Sequence, residues 1–204
     1  MKVKSVIKQH IKENKWHYLI LIIFFSLGIF LGYHKIFTLS GEVKEHLLSL
    51  VNTYMLGGFK GELSSGHIFS SAYIQQLKTI FIIWFLGLTV IGIPFIIGVV
   101  FFRGFSLGFT LGFLVKEKAT TGIIISIFSI LPQNLIYIPL IMLISIIAIN
   151  FSIYIVSGYN TGAIPLSKGL MKYLLLLIIF LILVLSGVLI ETYLVPFLLA
   201  LFLN

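Results

Sequence analysis

Apolar runs long enough to cross a bilayer recur along this chain and leave it few ways to fold. The run from about Trp16 to Phe37 has an uncharged core between Tyr18 and Tyr33. Others cover about Thr79 to Phe102, Ile136 to Val156, and Leu170 onward through Gly187. A helix crosses the hydrocarbon layer in about 20 residues. Of 204 residues, 59% are apolar and 10% charged, against about 25% charged in a soluble domain. A soluble core of this chain length cannot hide so much apolar surface. Lipid must therefore be the solvent for much of it, and there every backbone group needs an internal partner, as in a helix. We expect an all-α integral membrane protein with five transmembrane crossings, a broken or re-entrant helical region, and one amphipathic extracytoplasmic helix.

The net charge of +8 fits this setting. Lysines stand at the ends of apolar runs, where they set topology and meet anionic lipid headgroups. They form no basic patch on a folded surface, so membrane lipids are the expected partners and nucleic acid is not. Within residues 1–15, Lys2, Lys4, Lys8, Lys12 and Lys15 face a single Glu13, and Val3, Ile7 and Ile11 recur at helical spacing. This predicts a basic amphipathic helix on the cytoplasmic surface. It leads into an uncleaved first span over 16–37. Residues 38–78 are balanced in charge and are predicted outside.

Within that loop, Ser40 is placed to cap a helix over 41–56. Val43, Leu47, Leu50, Val51, Tyr54 and Met55 mark one apolar face. That face has to cover itself with lipid, with the bundle, or with a partner's groove. Gly57-Gly58 is expected to end the helix. A second span over 79–102 follows, interrupted by Gly87, Gly92, Pro94 and Gly98. Such breaks need neighbours, so this span is expected inside the bundle. Residues 103–118, with Lys168 and Lys172, are placed on the cytoplasmic side, and the C-terminus outside.

Gly104, Gly108 and Gly112 form a stripe at four-residue spacing, flanked by Phe105, Phe109 and Phe113. A neighbouring backbone can come close along such a stripe, either within the bundle or across a homodimer. Residues 104–115 precede Lys116-Glu117-Lys118 and are too few for an ordinary span. They predict a re-entrant or interfacial Gly/Phe helix, or half of a broken one. Residues 119–156 read as a broken helical hairpin, out to Leu131 and back from Ile136, and 170–203 as the last span. At the break, Pro132 removes a donor. Gln133 and Asn134 either satisfy the freed backbone groups or line a polar site. Arg103 and Glu191 are ionisable groups near span ends and read as anchors, with Arg103 paired to Glu117 or to lipid phosphate.

Taken together, Phe-Phe-Arg103-Gly104-Phe, the glycine stripe, and Leu131-Pro132-Gln133-Asn134-Leu135 followed by Ile138-Pro139 resemble the stage II sporulation protein M family. The resemblance covers nearly the whole chain. Much of the wider membrane family has His after the motif proline; Gln133 is closer to the sporulation branch. The resemblance implies a non-catalytic scaffold in the membrane of endospore-forming bacteria, acting at the septum during engulfment. The implied partners are stage II sporulation proteins D and P, which degrade peptidoglycan. A transporter or channel subunit with a polar site around Gln133 and Asn134 is the alternative. No cofactor, metal or catalytic residue is expected. The chain has no Cys, and its His residues have no metal-ligand spacing. No nucleophile elbow, phosphate loop or dinucleotide fingerprint occurs.

Overall fold

A computed structural model describes residues 9, 12–59, 65–161 and 166–203. Most of the expected amphipathic helix over 1–15 therefore lies outside the described residues. The described residues are helical, with no strand among them. They form α1 (Lys15–Lys35), α2 (Gly41–Phe59), α3 (Ser65–Leu86), α4 (Gly92–Ile125), α5 (Leu131–Thr161), α6 (Leu166–Leu189) and α7 (Val195–Leu203). A 3-10 turn over Ile36–Thr38 follows α1, and π turns over Ser126–Ile130 and Ile190–Leu194 join α4 to α5 and α6 to α7. Three stretches are long and apolar enough to cross a membrane: Lys15–Thr38, Gly92–Ser157 and Ser167–Leu198.

The closest packing in the bundle is between α1 and α4, and it follows from glycine. A Cβ at Gly28 would strike the backbone at Phe101 and Phe105, and one at Gly32 the backbone at Phe105. From the other side, a Cβ at Gly104 would meet the Phe25 carbonyl, one at Gly108 the Ile29 carbonyl, and one at Gly112 the side chains of Tyr33 and Ile36. Each glycine weakens its own helix by about 1 kcal/mol relative to alanine. Close backbone approach and dispersion offset that loss. The stripe at Gly104, Gly108 and Gly112 is thus covered by α1 of the same chain. Residue numbers rise together across the contact, so α1 and α4 run parallel.

A parallel pair needs a return passage between its members, and α3 supplies it. The second expected span, 79–102, is not one helix. The chain reverses between Leu86 and Gly92, where a Cβ at Gly92 would strike the Leu86 carbonyl. Pro94 does not interrupt a helix; it lies in the first turn of α4, where no N–H donor is needed. Side chains of neighbouring helices bind carbonyls at the reversal, one of which, Thr89, also accepts the Gly92 N–H. The Tyr173 hydroxyl donates to the Trp84 carbonyl at 2.8 Å and the Ser152 hydroxyl to the Thr89 carbonyl at 2.8 Å. Tyr173 stacks between Trp84 and Phe151, with ring centroids 5.5 Å and 4.0 Å away.

Residues 104–115 are likewise not a separate short helix. They are the middle of α4, which keeps helical backbone angles from Gly92 to Lys118. The reversal comes at Ala119, with φ 46° and ψ −123°. Beyond it the chain folds back so tightly that a Cβ at Gly122 would strike the Leu114 carbonyl. The expected break at Pro132 to Asn134 is also absent as a reversal. Residues 120–131 and 136–156 run in one direction, through the π turn and into α5. A proline ring clashes with the carbonyl four residues before it. Here Pro132 stands two residues after one π turn and Pro196 two residues after the other. The wider turn makes room for each ring. Gly57-Gly58, expected to end α2, lies within it.

These directions correct the sidedness inferred from charge. Lys116, Glu117 and Lys118 lie beside α2, not at the opposite end of the bundle. Lys44 Nζ is 2.9 Å from Glu117 Oε2, Lys118 Nζ donates to Asn52 Oδ1 at 2.6 Å, and Lys116 Nζ lies 4.3 Å from the Phe37 ring centre. Glu117 is therefore not the partner of Arg103. At the other end, Asn150 Nδ2 donates to Asn14 Oδ1 at 2.6 Å, beside the α3–α4 reversal.

The glycine contact makes a prediction. Gly108→Ala should lower stability in detergent by about 1–3 kcal/mol, the usual effect of overpacking. Gly98→Ala, where an added Cβ meets nothing within 4 Å, should be neutral or stabilise by up to about 1 kcal/mol. Thermal unfolding of the two variants side by side reads the difference.

Candidate functional site

Arg103 is the only arginine in the chain, and Glu191 is the only acidic residue after Glu117. Both stand within long apolar stretches. The parallel packing of α1 and α4 fixes where Arg103 points. Gly104 and Gly108 face α1, so Arg103 and, on the opposite side of α4, Ser106 and Thr110 border the space between α3, α5 and α6. There they line a cavity of about 290 Å³ with Gln75 and Gln76 of α3, Gln133, Asn134 and Tyr137 of α5, and Glu191 of the second π turn.

Each charge in the cavity is held by a neutral group. Arg103 Nη2 donates to Gln76 Oε1 at 2.6 Å, and Gln76 is itself buried. The guanidinium carbon lies 6.0 Å from the Tyr137 ring centre, within cation–π range. Tyr137, almost wholly buried, donates its hydroxyl to Glu191 Oε2 at 2.8 Å. A Cβ at Gly187 would strike the Tyr137 ring, so glycine on α6 is what lets the edge of that ring approach the helix. Between Arg103 and Glu191 there is no ion pair.

The two residues after Pro132 divide their work. Asn134 Nδ2 donates to the Ile130 carbonyl at 2.8 Å, so its amide satisfies backbone at the end of the π turn. Gln133 is buried, and its Oε1 has no protein partner; it lines the cavity instead. Arg103 Nε is also buried without a protein acceptor. Gln75, Ser106 and Thr110 are the exposed members of the lining. Ser106 and Thr110, one turn apart, lead from Arg103 toward the α2 end of the bundle. Pro139 is within α5, away from the cavity lining.

Sequence reasoning placed Arg103 and Glu191 at span ends and passed over Gln76 and Tyr137. The available signal was an ionisable residue inside an apolar stretch, which marks a site more often than an anchor. Gln76 carries no such mark, and only the α3–α4 hairpin brings it to Arg103.

At the α2 end, the face expected to be apolar is split. Leu47 and Val51 are half-buried, while Val43 is 46% and Leu50 53% exposed. The side chains of Tyr54 and Met55 lie outside the described residues. Among the described residues no group of three or more His, Asp or Glu gathers for a metal.

The cavity's hydrogen bonds can be weighed by mutation. Tyr137→Phe should destabilise the protein by about 1–3 kcal/mol, because it strips a carboxylate of its donor away from bulk water. In a double-mutant cycle with Glu191→Ala, the two changes should couple by about 1 kcal/mol or more. Unfolding in detergent measures both.

A sequence model described as Stage II sporulation protein M matches residues 21–196. No curated protein and no solved structure matches the chain. The matched span runs from the middle of α1 into α7 and takes in the glycine contact, both π turns and the cavity. The chain therefore belongs to the stage II sporulation protein M family, which makes it a sporulation-related membrane protein.

Proposed function

We propose that the chain is a non-catalytic membrane scaffold that holds peptidoglycan-degrading enzymes, stage II sporulation proteins D and P, at the engulfing membrane. The observation that carries this reading is the mounting of α2. Its polar edge is clamped to the tip of α4 through Lys44–Glu117 and Lys118–Asn52. Val43 and Leu50, seven residues apart on one stripe, stay exposed. A helix fixed by its polar edge with apolar side chains outward suits a partner's groove. Confinement to one membrane then raises the enzymes' effective concentration at the adjacent wall.

We read the helices as five crossings, by α1, α3, the 92–118 part of α4, the passage from 120 through α5, and α6 with α7. The middle apolar stretch is 66 residues long, enough for two crossings of about 20 residues, and it reverses at Ala119. The 22 residues of α3 span about 33 Å. Lys78, exposed on α3, would extend its charge toward the nearer end. Charge sets the orientation. The α2 end carries Lys35, Lys44, Lys116 and Lys118 against Glu42, Glu45 and Glu117. The other end has Lys12, Lys15, Lys168 and Lys172 against Glu13, and the sequence before it adds Lys2, Lys4 and Lys8. The excess puts the N-terminus inside, and α2 and the C-terminus outside. A second reading, a transporter or channel subunit, draws on the polar cavity at Gln133, since such proteins place polar sites at broken helices.

Two measurements test the scaffold. In this cysteine-free chain, Ser49→Cys and Thr120→Cys should react with an impermeant maleimide on intact cells, and Ser167→Cys only after permeabilisation; labelling of Thr120→Cys and Ser49→Cys from opposite sides would break the topology. In sporulating cells, Val43→Glu with Leu50→Glu should cut co-purification of the two wall enzymes at least tenfold while the membrane level of the protein is unchanged. Undiminished capture by that variant removes α2 as the docking helix.

A further inference from the structure

Arg103 and Glu191 carry opposite charges, line one cavity and do not touch each other. Each is held on one side by a neutral group, Gln76 for the guanidinium and Tyr137 for the carboxylate. A charge in an apolar surround demands compensation. Two opposite charges brought into one cavity would compensate each other most simply by direct contact, yet here no guanidinium nitrogen comes within 4.0 Å of the carboxylate. Donor and acceptor capacity is left over on the same walls: Arg103 Nε and Gln133 Oε1 are buried with no protein partner. Gln133 is 9% exposed and is not engaged with the backbone of the π turn, a task that falls to Asn134.

The lining selects among ligands by charge. A simple anion would meet Arg103 but be repelled by Glu191. A simple cation would meet Glu191 but be repelled by Arg103. A molecule with both charges answers both walls, and the amide of Gln133 adds a neutral contact between them. The volume, about 290 Å³, sits at the lower end of the usual range for small-molecule sites. Both π turns border the cavity, through Ile130 and Glu191. Such turns recur at functional sites because they break helical spacing and redirect side chains. The exposed Ser106 and Thr110 mark a polar way in from the α2 end.

We infer that the cavity between α3, α4, α5 and α6 binds a small zwitterion, with its oxyanion on Arg103 and its primary ammonium on Glu191. The ligand chemistry is shared by a soluble zwitterion and by the headgroup of an ethanolamine phospholipid. Binding does not depend on the scaffold reading. That reading is tested on α2 and this one on the cavity, so either can fail alone.

The test uses the full chain in nanodiscs of phosphatidylglycerol, which offers no ammonium headgroup. O-phosphoethanolamine or glycine should raise the unfolding temperature saturably, while ethanolamine, inorganic phosphate and acetate should not. Glu191→Gln keeps an acceptor for Tyr137 but removes the charge, and it should weaken the zwitterion effect at least tenfold in apparent affinity. Arg103→Gln should do the same; if it fails to fold, Glu191→Gln carries the test. Discs containing phosphatidylethanolamine separate the sources. A headgroup ligand raises the unfolding temperature in these discs, pre-empts the soluble compound, and loses its effect in Glu191→Gln; a soluble ligand acts equally in both lipids. Two results overturn the proposal: no zwitterion exceeding its single-charge controls in either lipid, or a zwitterion effect undiminished in Glu191→Gln.

Discussion

The backbone contact between α1 and α4 governs the arrangement of everything else. Two helices that lie this close need glycine on both, and here Gly28 and Gly32 interleave with Gly104 and Gly108. Because the pair is parallel, the chain must return between them, so α3 has to run the other way. The α3–α4 hairpin then brings Gln76 to Arg103. The same contact turns the opposite side of α4 toward α3, α5 and α6, where Ser106 and Thr110 line the cavity. It also carries Lys116 to Lys118 to the end where α2 lies. Spacing the pair even one methyl apart would disturb all three relationships at once, since packed helices are close to incompressible.

Proline is the second organiser. A proline inside a membrane helix costs about 3 kcal/mol or more unless its lost hydrogen bond and its ring are accommodated. This chain does so twice in the same way, with a π turn ending two residues before Pro132 and before Pro196. Beside the first, the Asn134 amide donates to the Ile130 carbonyl, and the neighbouring Gln133 faces the cavity. At the second, the turn itself carries Glu191, and Tyr137 reaches across from α5 to hold it. The polar cavity is thus partly a product of how two prolines are tolerated. Hydroxyls also bind backbone at the α3–α4 reversal, Tyr173 at the Trp84 carbonyl and Ser152 at the Thr89 carbonyl, which takes the Gly92 N–H as well. In lipid these bonds have no water to replace them.

How much of this was legible in the residues depends on the range of the interaction. The apolar runs specify helices and a membrane, because that signal is local and repeats. The glycine stripe announces a close backbone contact, but its partner stripe, Gly28 and Gly32, has only two members inside an otherwise ordinary apolar run. Nothing local says that the two stripes meet, or that they meet in parallel. Gly87, Gly92 and Pro94 look alike whether they kink one helix or join two. The difference lies in Tyr173, Ala148 and Ser152, far along the chain, which line the reversal. Ala119 carries the sharpest turn with no turn residue at all, in a backbone region that usually calls for glycine. Such strain persists only where surrounding packing over-determines it, and packing is what a single sequence leaves unspoken.

The contact of Lys116 to Lys118 with α2 escapes the sequence for the same reason. A basic cluster after an apolar run ordinarily signals the cytoplasmic face. That rule counts lysines near the ends of spans and takes little account of neighbouring acids. Here Glu117 lies inside the cluster and pairs with Lys44, while Glu42 and Glu45 stand on α2. The cluster is therefore close to neutral as a unit once α2 docks on it. Lys12 and Lys15 around the start of α1, with Lys168 and Lys172 at the start of α6, stand at the other end of the bundle. Counted over the folded ends instead of along the linear sequence, the lysines divide between the two ends of the bundle, and the parallel glycine contact is what sorts them.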